Sequence, residues 1–248
     1  MVASLMSALP GSVAQGLIWG ILAIGVYITY KVLDFADLTV DGSLATGGAV
    51  AVMCMLNGAN TYVALILAFL AGMLAGLVTG LFHTALGIPP ILAGILTQLG
   101  LYSINMRIMG KANQAISVMQ YDVLVSLRYI PHACLLTTGF CIVIIALLYW
   151  FFGTEIGASV RATGCNPNMA RAQGINTNAT KVLGLVISNG LVGLAGALYA
   201  QYQGSADINM GRGAIVIGLA AVIIGEVVFG KISQNFGFKL FSVAFGAI

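Results

Sequence analysis

GSLATGGAVAVMCMLNGANTYVALILAFLAGMLAGLVTGLFHTALGIPPILAGILTQLGLYSINM, residues 42–106, contains no Asp, Glu, Lys or Arg, and only His83 within it titrates near neutral pH. A charged side chain at the centre of a bilayer costs about 2.5–3.5 kcal/mol on insertion scales. Its absence over such a length reads as three successive membrane helices, near 43–57, 61–82 and 89–106. A spanning helix needs about 20 apolar residues, at 1.5 Å rise each, to cross about 30 Å of hydrocarbon.

Working outward, four more runs of this kind lie near 12–30, 132–152, 182–202 and 213–229, and an eighth starts near Leu240 and is cut at Ile248. The expectation is a polytopic, all-α transmembrane bundle, with residues 1–248 forming a single domain whose C-terminus is truncated. Composition agrees: 60% of the 248 residues are hydrophobic and 7% charged, with a mean hydropathy of +1.02. A soluble domain is nearer 25% charged, because water must solvate its surface. The net charge of +3 is spread over short loops with no basic run, which argues against nucleic acid as a partner. The first 30 residues hold no Lys or Arg, so the charged region of a cleavable signal is missing.

Two runs, 43–57 and 213–229, are short and glycine-interrupted. They read either as broken, re-entrant segments facing a cavity or as shallow or tilted helices. The 32 glycines include Gly72, Gly76 and Gly80 at four-residue spacing, and Gly16 with Gly20. Such spacing stacks small residues on one helix face, where a neighbouring backbone can approach closely. Cys54, Cys134, Cys141 and Cys165 show no CxxC spacing and read as small apolar fillers. Loops 31–42, 83–88, 153–181 and 230–239 fall on one side and carry Lys31, Arg161, Arg171, Lys181, Lys231 and Lys239. The other side carries Arg107, Lys111, Arg128 and Arg212. The positive-inside rule makes the first side cytoplasmic and puts the N-terminus outside.

Three stretches could carry chemistry. In 34–43, Asp34, Asp37 and Asp41 fall together between apolar runs. They form either a solvated loop with Ser43 capping the next helix or a turn on a substrate pathway. In 153–181, the longest polar stretch, 166–174 reads as a small helix. Asn166 suits its cap, Pro167 its first position and Gly174 its left-handed end. At about two turns it cannot hold itself in water, so it docks either on its own bundle or in a partner's cleft. The third, Gly225-Glu226-Val227-Val228-Phe229-Gly230-Lys231-Ile232, nearly fits a phosphate loop. It has an apolar middle, and Ile232 stands where a magnesium-binding hydroxyl is needed. Any ATPase is then a separate chain. No nucleophile, carboxylate pair or metal-ligand spacing marks an enzyme, and no cofactor is implied. Glu226 reads as interfacial, and His83 as interfacial rather than a proton relay.

Asp37-Leu38-Thr39-Val40-Asp41-Gly42-Ser43 resembles the DLSVGS turn of ribose-type and branched-chain amino-acid-type ABC permeases. Gly87-Ile88-Pro89-Pro90 with Thr97-Gln98-Leu99-Gly100 is similar to their GxPxxxxTLG helix start. Arg161-Ala162-Thr163-Gly164-Cys165-Asn166, with Ala170 and Gly174-Ile175-Asn176, resembles their cytoplasmic coupling segment. The form of 33–42 is most similar to a bacterial subgroup associated with aromatic amino acids. Asp41 is an insertion relative to DLSVGS, and Gln98 interrupts the TLG pattern. The resemblance implies the permease subunit of an ATP-driven importer in the bacterial inner membrane. It implies a homodimer or pair of permeases, a separate ATPase on the cytoplasmic face, and an extracytoplasmic solute-binding protein. Arg161, Asn166, Pro167, Asn168, Ala170, Arg171 and Gly174 would couple to the ATPase. Asp37, Thr39, Asp41, Ser43, Thr97, Asp207 and Asn209 would lie nearest the solute path, with Arg212 in the same turn. The alternative is an ion-coupled secondary transporter or channel that uses Asp37, Asp41 and Glu226.

Overall fold

The computed structural model describes residues 2–117, 121, 123–126, 130–229 and 235–248. Among the described residues, six helices are long and apolar enough to cross a membrane. They are α1 (Val2–Tyr27) with its continuation to Val32, α2 (Thr39–Leu56), α3 (Thr61–Thr84), α4 (Pro90–Met109), α5 (Ile130–Gly153) and α8 (Thr177–Gln203). Shorter helices are α6 (Glu155–Cys165), α7 (Pro167–Ala172), α9 (Ala214–Phe229) and α10 (Phe236–Gly246). Strands β1 (Asn113–Ala115) and β2 (Ser205–Asp207) pair antiparallel, Gln114 opposite Ala206, and clasp the ends of α4 and α8.

The outward faces are those of a lipid-bathed bundle. Leu74, Leu99, Leu135 and Val227 are each more than 60% exposed. The core instead holds residues of α1, α2 and α8 such as Ile21, Leu22, Leu44, Leu185 and Leu198. Backbone approach at this core depends on glycine. Added Cβ atoms at Gly72, Gly76 and Gly80 would run into Asn189, Leu185 and Val182 of α8. Those at Gly16 and Gly20 would meet Ile248 and Ala244. The four-residue glycine spacing therefore marks the α3–α8 and α1–α10 seams. α8 returns the fit, since Gly193 backs onto Ala68 and Gly196 onto Leu44.

Several boundaries differ from the sequence reading. The run expected at 43–57 begins at Thr39, so Asp41, Gly42 and Ser43 are helical. Ser43 caps nothing. Its hydroxyl is buried and donates to Asn189. α2 is one unbroken helix of 18 residues. The first run ends in a wider π turn, Ile28–Val32, closed where Leu33 N–H donates to the Ile28 carbonyl at 3.0 Å. Asp34 follows at φ +52°, a left-handed position that short polar side chains tolerate better than most. The polar stretch 153–181 holds α6 as well as the expected small helix. Thr154 begins α6 by accepting from Gly157 N–H.

α9 has 16 residues, about 24 Å of helix, short of the hydrocarbon thickness. It pairs antiparallel with α10, Gly225 against Ser242 and Gly246 against Ala221. Cys134 and Cys141 point from one face of α5 to the Pro10 and Leu17 carbonyls of α1. Cys165 is exposed, which corrects its reading as an apolar filler. Gly230, Lys231 and Ile232 of the phosphate-loop-like stretch, and Arg128 of the loop tally, lie outside the described residues.

Residues 31–38, 83–88 and 153–181 gather at one end of the bundle, as the loop alternation requires. His83 packs edge-on to Phe35 and bonds Lys181 and the Ile88 carbonyl. Lys31 pairs with Glu226 at 3.1 Å at the same end.

Adding one methyl at the α3–α8 seam should cost about 1–3 kcal/mol by overpacking. Gly76→Ala is therefore expected to lower the unfolding midpoint in detergent. Gly139→Ala, with open space around its Cβ, should leave it unchanged. Equal midpoints for the two variants would contradict the packing account.

Candidate solute path and coupling elbow

α2 begins among fully buried residues, Thr39 and Val40, and α9 begins against α2, so side chains meet N–H groups that each helix start leaves free. Asp37, 2% exposed, accepts from Thr39 N–H at 2.9 Å through Oδ1. Its Oδ2 accepts from Asn189 Nδ2 at 2.7 Å. Burial pushes the Asp37 carboxyl up from the ordinary carboxylate range, and the hydrogen bonds from Thr39 and Asn189 act in the opposite direction. Asp41 serves α9 from across the bundle. Its two oxygens accept from Gly213 N–H and Ile215 N–H, each at 3.0 Å. Gly213 is at φ +80°, which turns the chain into α9, and Gly211 lies against the Asp41 carbonyl.

Asn189, fully buried in α8, is the hub of this region. Besides Asp37 it holds Ser43, whose hydroxyl donates to Asn189 Oδ1 at 2.6 Å. Beside it runs a hydroxyl chain: Thr39 to Thr79 at 2.7 Å and Thr79 to Thr97 at 2.9 Å. α2, α3, α4 and α8 are thus tied by six buried polar side chains. Neither Asn189 nor Thr79 was singled out in the sequence. The only local signal is a lone amide or hydroxyl within a greasy helix, which by default marks a buried polar contact.

The seven expected path residues therefore divide. Asp37, Thr39, Ser43 and Thr97 belong to the buried network, and Thr97 also borders an apolar cavity between α2, α3 and α4. Asp41 lines a second cavity of about 350 Å³ with Gln98, Tyr102, Asn105 and Arg212. Asp207 and Asn209 sit at the strand end. There Asp207 accepts from Asn209 N–H at 2.7 Å and from Asn113 Nδ2 at 3.3 Å.

The expected coupling residues divide too. Asn166 caps α7, its side chain accepting from Asn168 N–H and Met169 N–H at 3.1 Å, and Pro167 takes the first turn. Ala170 is buried, and Arg171 Nε donates to Thr177 at 2.8 Å. Gly174 turns out at φ +82°. Asn176 then caps α8 through Asn178 N–H and Ala179 N–H. The elbow is fixed at its base and leaves Asn168 and Met169 exposed. Arg161 stands apart from it on α6. It donates to the Phe152 carbonyl at 2.9 Å, holding one of the carbonyls that the end of α5 leaves free, and lies over the Phe236 ring. Among the described residues no group of three His, Cys, Asp or Glu side chains could hold a metal.

Multiple spanning helices, helix starts inside the bundle and a short hydrophilic elbow at the basic end define a multi-pass membrane transport subunit. Residues 9–248 match the family described as the branched-chain amino acid transport system permease component, and the chain belongs to this family of ABC-type permeases. It is 42% identical over 226 residues to the "Tyrosine transport system permease protein" of Clostridioides difficile, covering 91% of this chain and 75% of that one. It is 30% identical over 215 residues to the "Autoinducer 2 import system permease protein LsrC" of Yersinia pseudotuberculosis, covering 84% and 58%. The solved structure "PsaBC from Streptococcus pneumoniae in complex with Fab" shares the fold with a TM-score of 0.50 at 15% identity, over 100% of this chain and 94% of that one. The chain is a multi-pass protein of the bacterial inner membrane.

Removing Asn189 takes a donor from the Asp37 carboxyl and an acceptor from the Ser43 hydroxyl, at about 1–3 kcal/mol for each buried group left unmet. Asn189→Leu should therefore unfold at much lower denaturant than wild type. Ser43→Ala should cost only about 1 kcal/mol, the net worth of an ordinary hydrogen bond. Denaturant titration of the purified protein followed by tryptophan fluorescence reads both. An Asn189→Leu variant as stable as wild type would show that the hub carries no load.

Proposed function

We propose that this chain is the membrane-spanning subunit of an ATP-driven importer for an amino acid. In this reading residues 1–248 act as one permease domain and work as a homodimer. A separate ATPase grips the elbow 166–174 at the cytoplasmic end, and an extracytoplasmic solute-binding protein delivers cargo at the strand end. The observation that supports this most is the elbow. A helix of six residues has no stability of its own in water. This one is braced by Asn166, Ala170 and the Arg171–Thr177 bond, yet its Met169 is 62% exposed. An apolar tip held rigidly outward suits a partner's cleft, and pushing it would turn α6 and α8 as a lever.

Asn166, Pro167, Ala170, Arg171 and Gly174 shape the elbow, Asn168 and Met169 present it, and Arg161 anchors its stem. Along the solute path, Asp41 faces the passage and Asp207 with Asn209 stand at its mouth. Asp37, Thr39, Ser43 and Thr97 brace the wall. The carboxylates suit this reading better than ion coupling. Asp37 is engaged on both oxygens, Asp41 holds a helix start, and Glu226 pairs with Lys31 at the surface. The amino-acid cargo follows the tyrosine transport named for the relative from Clostridioides difficile.

Met169→Glu, or deletion of residues 166–174, is expected to abolish copurification of the ATPase while the permease still inserts in the membrane. Undiminished copurification with the deleted elbow would overturn the coupling assignment.

A further inference from the structure

Arg212 is exposed, and among the described residues its guanidinium has no ion-pair or hydrogen-bond partner. Its backbone N–H bonds the Asn209 carbonyl, so it belongs to the turn that leads from the strand end into α9, and a guanidinium there needs a polar space, because lipid tails cannot solvate it.

The space it faces is the cavity of about 350 Å³ shared with Asp41 and Asn105. The volume is within the usual range for small-molecule sites, about 300–1,000 Å³. Asp41 and Arg212 carry opposite charge on the same wall, yet they form no ion pair with each other. Each Asp41 oxygen is held by one N–H, and a carboxylate oxygen has lone pairs for more than one donor. Asn105 is 1% exposed and its Oδ1 has no hydrogen-bond partner. Buried orphan acceptors are rare in folded proteins and call for an absent donor.

We infer that this cavity recognises the zwitterionic head of a free amino acid, the ammonium between Asp41 and Asn105 Oδ1 and the carboxylate on the Arg212 guanidinium. The inference rests on the import reading above and adds a solute site within the permease itself. An ammonium supplies donors to an anion and to the orphan acceptor together. A guanidinium presents paired N–H groups that match a carboxylate. A nucleoside or sugar leaves both charges unmatched, an anionic solute opposes Asp41, and a simple amine opposes Arg212. Gln98 and Tyr102 remain to border the side chain.

The test is equilibrium binding of tritiated L-tyrosine and L-leucine to the permease–ATPase complex in nanodiscs, without binding protein. At least one should bind, and the amine lacking its carboxylate (tyramine or isoamylamine) should compete at least tenfold more weakly. Arg212→Gln should weaken amino-acid binding about tenfold or more and abolish the preference over the amine. Asn105→Leu should weaken binding while leaving thermal stability equal to wild type or higher, since it removes an orphan acceptor. No binding by the wild type, or unchanged affinities in both variants, overturns the site. ATP-driven uptake in proteoliposomes with binding protein separates the two levels. Uptake of either amino acid alongside unaffected variants sinks the site alone, whereas no ATP-driven uptake of either sinks the import reading beneath it.

Discussion

In a bilayer a backbone N–H turned away from lipid must find its acceptor within the protein or a polar cavity, and this fold starts two helices, α2 and α9, against one another. Asp37 and Asp41 resolve both starts. Asp37 bonds Thr39 N–H at the entry to α2. Asp41, one turn further on, bonds Gly213 N–H and Ile215 N–H, more than 170 residues away in sequence. An unmet N–H in such a place costs several kcal/mol, and a carboxylate near a helix N-terminus is also favoured by the helix dipole. One short acidic stretch thereby fixes where α2 begins, how deep α9 begins, and the distance between them.

The remaining architecture makes that arrangement rigid. Glycines on α3 and α8 bring backbones into direct contact, so that α2 is clasped between them. The Asn189 hub and the Thr39–Thr79–Thr97 chain lock these three helices and α4 with buried hydrogen bonds. A closely packed block tied by buried hydrogen bonds resists deformation. That is what a lever at the far end of α8 requires. The elbow joins α6 to α8 at the basic end, and Gly164 of α6 rests on the Val32 carbonyl beneath α1. In the proposed reading, displacement of the elbow would be delivered to the helices that enclose the Asp41 cavity.

Much of this could be read from the sequence, for reasons that are local. The long spans announce themselves because lipid excludes charge over a whole helix length. The α7 elbow was legible because Asn166, Pro167 and Gly174 each suit one end position and no other. The glycine seams follow from a spacing of four. The start of α2 was not legible. Asp41, Gly42 and Ser43 have the composition of a loop, and only contacts with α9 and α8 make them helical. α6 was hidden by its polar, glycine-containing surface, and Arg161 was grouped with the elbow through the resemblance of 161–166 to a coupling segment, although its guanidinium turns back to α5. Asn189 and Asn105 are single amides in apolar runs, and their roles depend on partners from distant helices.

The proposed transport cycle needs a polar passage inside a greasy bundle, worked from outside through one elbow. Its most direct measurement is the energy source of transport. Proteoliposomes containing permease, ATPase and binding protein should accumulate amino acid when ATP is supplied to the ATPase, and should continue after proton and sodium gradients are collapsed. Accumulation by the permease alone, driven by an ion gradient and indifferent to ATP, would contradict it.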